Sequence, residues 1–387
     1  MLKPGKACYL LILLLWCCRK PYNPPAVASP GTYLVVEGVI NSGPDSTIIK
    51  LSQTVPLNAQ VTTNPLAGAT VTVQNDQNAS WPLTGDGLGN YVSAGLNLPA
   101  TGNYRLFIIT PDKKQYASAY QPIKPTPPID SIGYTAGGSA ANIYVNTHDP
   151  ANNTHYYRWD YQEAWIFHAM EESSFVLDSA TSTIVPRPTT NQIYYCYGTD
   201  ASSTIDIAST AKLSKDLVYQ SPITNIPFNS EKIEATYLIY LKQYALTADA
   251  YNFYLNLKTN TEQLGSIFDA QPSQLQGNIH NVANAAEPVI GWITVTNVQT
   301  KKTYFTNQIV PPYTPVNYPG DCPPDTAWYR NAQGQNTVYP LLITLPIVYQ
   351  PVQPIYAGPT IIGFTYGSFL CTDCTIRGSV NPPWFWQ

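Results

Sequence analysis

Apolar and polar residues alternate along much of this chain, and that period predicts strands far more often than helices. The alternation is strict in Ala69-Thr70-Val71-Thr72-Val73, and residues 33–40 and 46–54 are further candidate strands. Gly87-Leu88-Gly89-Asn90-Tyr91 reads as a turn entering a strand, and Gly102-Asn103-Tyr104-Arg105-Leu106 repeats the device. Short strands broken by Gly, Asn and Pro clusters predict a β-sandwich over residues 32–123. Lys124-Pro125-Thr126-Pro127-Pro128 is a stiff segment and the expected domain boundary at 124–128. The remainder, 129–387, predicts a larger β-rich domain. In 156–167, Tyr157, Trp159, Tyr161, Trp165 and Phe167 share one face, while Arg158, Asp160 and Gln162 share the other. Residues 233–245 alternate again, and 289–296 form a third clear strand. One notable α-helix is expected: Thr247 can cap it, Asp249 suits its positive end, and Gly265 stops it. Its apolar residues Ala250, Tyr251, Phe253, Tyr254, Leu255 and Leu257 cover more than one face, so it should pack on two neighbours. Residues 171–230 and 300–360 are rich in Pro and Thr and give no clear pattern. The predicted class is mostly β.

The amino end adds a compartment. Lys3 and Lys6 precede an apolar run at 9–16, then Cys17-Cys18 and the polar flank Arg19-Lys20-Pro21. A basic start and an apolar run of roughly 7–15 residues make a secretory signal, too short to span a bilayer. The cysteine at its edge makes it a lipoprotein signal. Cys18 is the expected lipid acceptor, because cleavage after 17 puts small Cys17 before the cut and Leu15 at minus three. Residues 18–31 are then a lipid anchor and Pro-rich tether, with four prolines between 19 and 31. The membrane, reached through that lipid, is the expected first partner. No acidic run follows Cys18, so the periplasmic face of the outer membrane is preferred over the cell surface.

Charge then excludes a partner class. Without residues 1–17 the chain has 370 residues and a net charge of −6, which argues against nucleic acid. Four cysteines remain after the signal and Cys18: Cys196, Cys322, Cys371 and Cys374. In an oxidising compartment they are disulfide candidates, with three pairings open. Trp384, Phe385 and Trp386 would forgo roughly 1.5–3 kcal/mol each if left in water. The tail should therefore fold back on the second domain, with Cys322 bridged to Cys371 or Cys374. Cys196 would take the remaining partner or stay free. Such a loop of about 50 residues should stabilise by about 4 kcal/mol.

Chemistry-bearing clusters are sparse. Cys371-Thr372-Asp373-Cys374 has the spacing of half a zinc site or a redox pair, set against a structural disulfide. Histidines 148, 155, 168 and 280 show no paired spacing, so no metal and no cofactor are expected. Glu163 interrupts an apolar face: either a general acid, or a structural acid held by Arg158 or Arg330. Asp269, Gln271, Ser273 and His280 form a possible binding loop; a triad is conceivable on paper, but no Gly-x-Ser-x-Gly elbow is present. Asp86-Gly87-Leu88-Gly89-Asn90 has too few oxygens for a calcium loop and reads as a hairpin turn. The tyrosines and tryptophans could stack on sugar rings or serve as core.

Two resemblances follow. Gly-Ala-Thr-Val-Thr-Val at 68–73 with the two Gly/Asn/Tyr turns resembles Ig-like, transthyretin-like envelope modules. Across the mature chain, Cys18-Arg19-Lys20-Pro21-Tyr22, Tyr156-Tyr157-Arg158-Trp159-Asp160 and Gln243-Tyr244-Ala245-Leu246-Thr247 resemble a Bacteroidetes-type outer-membrane lipoprotein family catalogued as domain of unknown function 4249. So do Leu264-Gly265-Ser266-Ile267-Phe268-Asp269, Gly277-Asn278-Ile279-His280 and the closing Cys371-Thr372-Asp373-Cys374 with Pro383-Trp384-Phe385-Trp386. Tyr197 and Asn281 stand where that family usually has Trp and Cys. The resemblance implies a non-enzymatic lipoprotein accessory to a TonB-dependent transporter, through protein contact or ligand capture. The alternatives are a stand-alone carbohydrate- or peptide-binding lipoprotein and a hydrolase with a site not visible in sequence. A deep pocket ringed by Trp and Tyr would favour sugar binding.

Overall fold

A computed structural model describes residues 32–55, 59, 63–262, 276–309, 311, 316 and 322–387. The signal, Cys18 and the tether lie outside the described residues, as do Gly265, Asp269, Gln271 and Ser273. Strands account for 48% of the structure against 11% helix, so the class is mostly β.

The first unit is a sheet folded on itself. Ser80–Gly85 pairs Thr70–Asn75 through Val71↔Leu83, then pairs Asn90–Ser93 through Thr84↔Val92. That strand turns the corner between two layers. Val36, Ile49 and Leu51 from one layer meet Val71, Tyr104 and Ile108 from the other in one buried core. The alternation that marks these strands in sequence is the alternation between core and solvent.

This sandwich is not closed by residues 32–123, which corrects the expected boundary. Ile279–Asn281 pairs antiparallel with Gln115–Ser118, and Val289–Ile290 and Thr294–Thr296 run parallel to Leu34–Asn41. The strand expected over 289–296 thus exists in two pieces and belongs to the first sheet. Ile279, Val289, Ile293 and Val295 are buried in the first core. The Asn278 side chain fixes the return, accepting from Ile293 N at 2.9 Å and donating to Ile293 O at 2.8 Å. The 124–128 segment is pinned rather than free: Lys124 N donates to Val295 O, and Thr126 is buried between Thr296 and Ala245.

The second unit is another sandwich. Its long sheet centres on Tyr156–His168, flanked by Thr236–Ala245 and by Tyr195–Ala201 with Asp206–Ser209. Facing it is a three-stranded sheet of Ile129–Gly137, Ala140–His148 and Leu217–Pro227. Tyr157, Trp159, Trp165 and Phe167 are buried between the layers, as the alternation predicts. Three of the strands fall inside 171–230, where no pattern is legible in the sequence.

A small third sheet, Asp325–Trp328, Tyr349–Ala357 and Thr360–Ser368, carries its own core around Phe364. Two disulfides secure it. Cys322 is bridged to Cys371, and Cys196 is bridged to Cys374, joining this unit to the long sheet. The tail folds back: Phe385 is buried on Ala164 and Leu238, and Trp386 meets Tyr197 and Tyr304 edge-on.

The fragment 32–123, made alone, lacks four buried side chains worth roughly 1.5–3 kcal/mol each. It should show no cooperative thermal transition by circular dichroism. Fusing residues 276–298 to it through a flexible linker should restore one. A cooperative melt of 32–123 by itself would show that the return strands are dispensable.

Candidate functional site

The polar face of Tyr156–His168 is the floor of a cleft. Antiparallel register sets Arg158 opposite Tyr244, Asp160 opposite Lys242 and Gln162 opposite Tyr240. Odd-numbered residues of this strand fill the core, so these even-numbered ones must face outward. The sandwich stands over them. Gly38, Val39 and Ile48 form the roof of a 430 Å³ lobe, and Trp384 stands at its mouth. A second lobe of 630 Å³ shares Gly38, Arg158, Asp160 and Lys242 and extends to Trp292 and the helix. Two glycines let neighbouring segments of the roof sheet pack closely. A Cβ on Gly38 would lie 2.5 Å from Ile48 O, and one on Gly291 would lie 2.2 Å from Val36 O.

The helix, Ala248–Glu262, closes one side. Thr247 caps it, its Oγ1 accepting from Ala250 N at 3.2 Å. Its buried residues Phe253 and Tyr254 meet Val39 of the sandwich and Tyr244 of the sheet, the two neighbours its broad apolar face requires. Arg158 lies between ring faces, its Cζ 4.6 Å from the centroids of both Tyr244 and Tyr254. Its Nη2 donates to Asp160 Oδ2 at 2.8 Å. Burial would lower the guanidinium pKa, but Tyr254, Asp160 and Tyr244 raise it overall, so it stays charged.

Trp384 is 71% exposed and meets the Tyr240 ring edge-on at 5.5 Å. Next to it, Phe385 is 6% exposed and anchors the wall. The cleft therefore combines aromatic rings with hydrogen-bonding groups of both senses, the usual make-up of a small-molecule site.

The family described as Domain of unknown function (DUF4249) matches residues 19–302. The chain belongs to this family. The DUF4249 match includes the cleft floor, the roof and Trp292, and ends before Trp384 and the third sheet. No curated protein matches the chain. Among solved structures, a "putative carbohydrate binding protein" from Bacteroides uniformis matches at 8% identity over 56% of this chain and 91% of that chain, with a TM-score of 0.15. So small an overlap carries no argument about fold or ligand.

The other candidate residues lie elsewhere. His280 is exposed on the edge strand Ile279–Asn281, paired with Ala117. Asp86 caps its hairpin, accepting from Leu88 N at 2.7 Å and from Asn90 N at 3.1 Å. Among the described residues no group of His, Cys, Asp or Glu could hold a metal. Cys371 and Cys374 are not bridged to each other, so their spacing is not a redox pair. No helix among the described residues is long and apolar enough to cross a membrane.

Glu163 is a structural acid, but neither expected partner holds it. Arg158 lies on the opposite face, with Asp160. Glu163 pairs with Lys232 and accepts from Tyr237 OH at 2.6 Å. Lys232 lies 4.8 Å from the Trp165 ring centroid and 3.4 Å from Asp200. Lys232 sits in a 3-10 turn remote in sequence, so periodicity around 163 could not reveal it. Sequence reading also missed the roof and Lys242. Lys242 occupies a polar position in the alternation of 233–245, which was the available signal.

Removing Lys232 would strand a buried carboxylate. Lys232→Met should cost about 3–5 kcal/mol in urea unfolding. The double variant Glu163→Gln/Lys232→Met should recover most of it. Equal losses in the single and double variants would show that the pair is not coupled.

Behind the floor, Asp206 pairs in register with Trp159, and burial raises its pKa to about 6 against the ordinary 3.8. The folded state therefore holds this proton more tightly than the unfolded one. Its effect is a loss of stability as pH rises from about 4 to 6. Asp206→Asn should unfold at higher urea than wild type at pH 7 and at similar urea at pH 4. A variant less stable at pH 7 would reverse the sign.

Proposed function

We propose that this protein is a non-catalytic capture protein of the cell envelope and that the cleft takes a saccharide. The carrying observation is the floor itself: Arg158, Asp160, Gln162 and Lys242 interleaved with Tyr240 and Tyr244, under an exposed Trp384. A pyranose has apolar C–H faces and a rim of hydroxyls. Aromatic rings suit the faces, while carboxylate, guanidinium and amide groups suit the rim. Lobes of 430 and 630 Å³ fall in the range of small-ligand sites. This is the feature that distinguishes sugar binding from the other readings of the sequence. A lipid on Cys18 would hold the cleft near the outer membrane. Hand-over to a TonB-dependent transporter is the route that the family resemblance implies, and it is part of this proposal.

The test is a glycan array followed by calorimetry on the mature protein. At least one oligosaccharide should bind, and Trp384→Ala should weaken it about 2- to 10-fold, the worth of one ring stack. Trp384→Phe should keep most of the affinity. Mass spectrometry of the ligand after incubation should show it intact. Released fragments would make the protein a hydrolase. Binding untouched by Trp384→Ala, or absent across the array, would overturn the assignment of the cleft.

A further inference from the structure

The small third sheet ends in an apolar tip. Its two long strands pair Tyr349 with Ser368, with Leu345-Pro346-Ile347-Val348 just before the first and Phe369-Leu370 just after the second. Val348 N donates to Leu345 O at 3.0 Å, and Phe369 N donates to Val348 O at 2.9 Å, so the two segments meet. Ile347 is 81% exposed and Leu370 73%, and Leu345 and Val348 are exposed with them. Tyr339, also exposed, lies one turn away, its carbonyl accepting from Thr344 N at 3.0 Å.

These side chains are not a core left unfinished. The same unit buries Ala327, Val338, Leu342 and Phe364 together. Cys371, next to Leu370, is bridged to Cys322, which fixes the segment that presents Leu370. The surroundings are uncharged as well. Residues 331–372 contain no Asp, Glu, Lys or Arg, where the chain's 11% of charged residues would place about five. Contiguous exposed aliphatic side chains mark a contact with a protein or a membrane. Protein contacts take their register from complementary charges, and this tip offers none. A bilayer asks for none: it takes aliphatic side chains into its acyl region and tyrosines at its headgroups. Cys18 stands fourteen residues before Thr32, so a lipid there holds the body within about 50 Å of the bilayer, the reach of that chain fully extended. At such confinement even a weak second contact is engaged much of the time.

We propose that this tip dips into the lipid bilayer, with Ile347 and Leu370 reaching the acyl chains and Tyr339 at headgroup level. The contact is independent of what the cleft holds and shares with the saccharide reading only the lipid at Cys18.

The experiment reconstitutes the lipidated mature protein in phosphatidylethanolamine–phosphatidylglycerol vesicles that contain a lipid with a diazirine on its acyl chain. After illumination, label should map to peptides spanning 344–348 and 369–371. Label confined to other parts of the body, or absent from it, overturns the proposal. A second arm uses the Cys18→Ser chain made without residues 1–17, which carries no lipid. It should float with the same vesicles, and its binding should hold as salt rises from about 50 to about 500 mM, because no charge pair is involved. Ile347→Ser/Leu370→Ser should weaken that binding about 10-fold or more, while Ile347→Leu/Leu370→Ile should keep it. Thermal melts check that both variants fold. No flotation, or equal flotation of wild type and the folded serine variant, removes the tip from the membrane. A dimer in sedimentation velocity that the serine pair dissociates would assign the tip to a second copy of the chain instead. Glycan binding at the cleft should be the same in both variants, so either property can fail without the other.

Discussion

Keeping a charged guanidinium out of water is costly, and the centre of this molecule is arranged around offsetting that cost at Arg158. The three groups that do so come from three places. Asp160 is two residues along the same strand, Tyr244 is on the neighbouring strand, and Tyr254 is on the helix. The helix in turn packs on Val39 of the first sandwich. A shift of register, of the helix, or of the sandwich would remove one of these partners. One side chain thus couples the two sandwiches, and the cleft is the space left where they cannot close over it. Gly38 and Gly291 let neighbouring segments of the roof sheet lie close together, since a side chain at either would push into backbone of that sheet.

Much of the fold could be read from the chain, because alternation reports which side of a strand is dry. The core face of Tyr156–His168 and its polar face were both legible residue by residue. What alternation cannot report is the partner of a strand. The return of 279–296 to the first sheet pairs Val39 with Thr294, a contact set by the Asn278 side chain and not by any local period. For the same reason the polar face of 158–162 could be read as outward-facing, but not as roofed. Its roof comes from residues more than a hundred positions earlier. Glu163 was legible as an anomaly and illegible in its pairing, since Lys232 is 69 positions away in a turn. The closing aromatic run was legible as a fold-back. Its division of labour, with Phe385 buried and Trp384 exposed, is set by a turn in which Trp386 N donates to Pro383 O, which no alternation reports.

Charged residues are 11% of this chain, and the few that exist tend to be committed. Glu163 with Lys232, His168 with Glu234 and Arg377 with Glu231 all lie around the long sheet of the second sandwich. Arg377 also covers the Phe167 ring at 4.6 Å.

The last residues of the chain belong to the site as much as the floor does. Trp384 can stand at the mouth of the cleft only if the tail is held along the sheet. Three things hold it: the Cys196–Cys374 bridge, the paired backbone bonds between Tyr197 and Ser379, and the burial of Phe385. The bridge fixes the tail thirteen residues before its end, and a chain end tied at one point still frays beyond it. The backbone pair and then the phenylalanine take over where the bridge stops. Each step shortens the free segment, so that only the exposed ring of Trp384 is left to face the cleft. The oxidised state of the Cys196–Cys374 pair is therefore also the condition under which the carboxyl end can complete the wall.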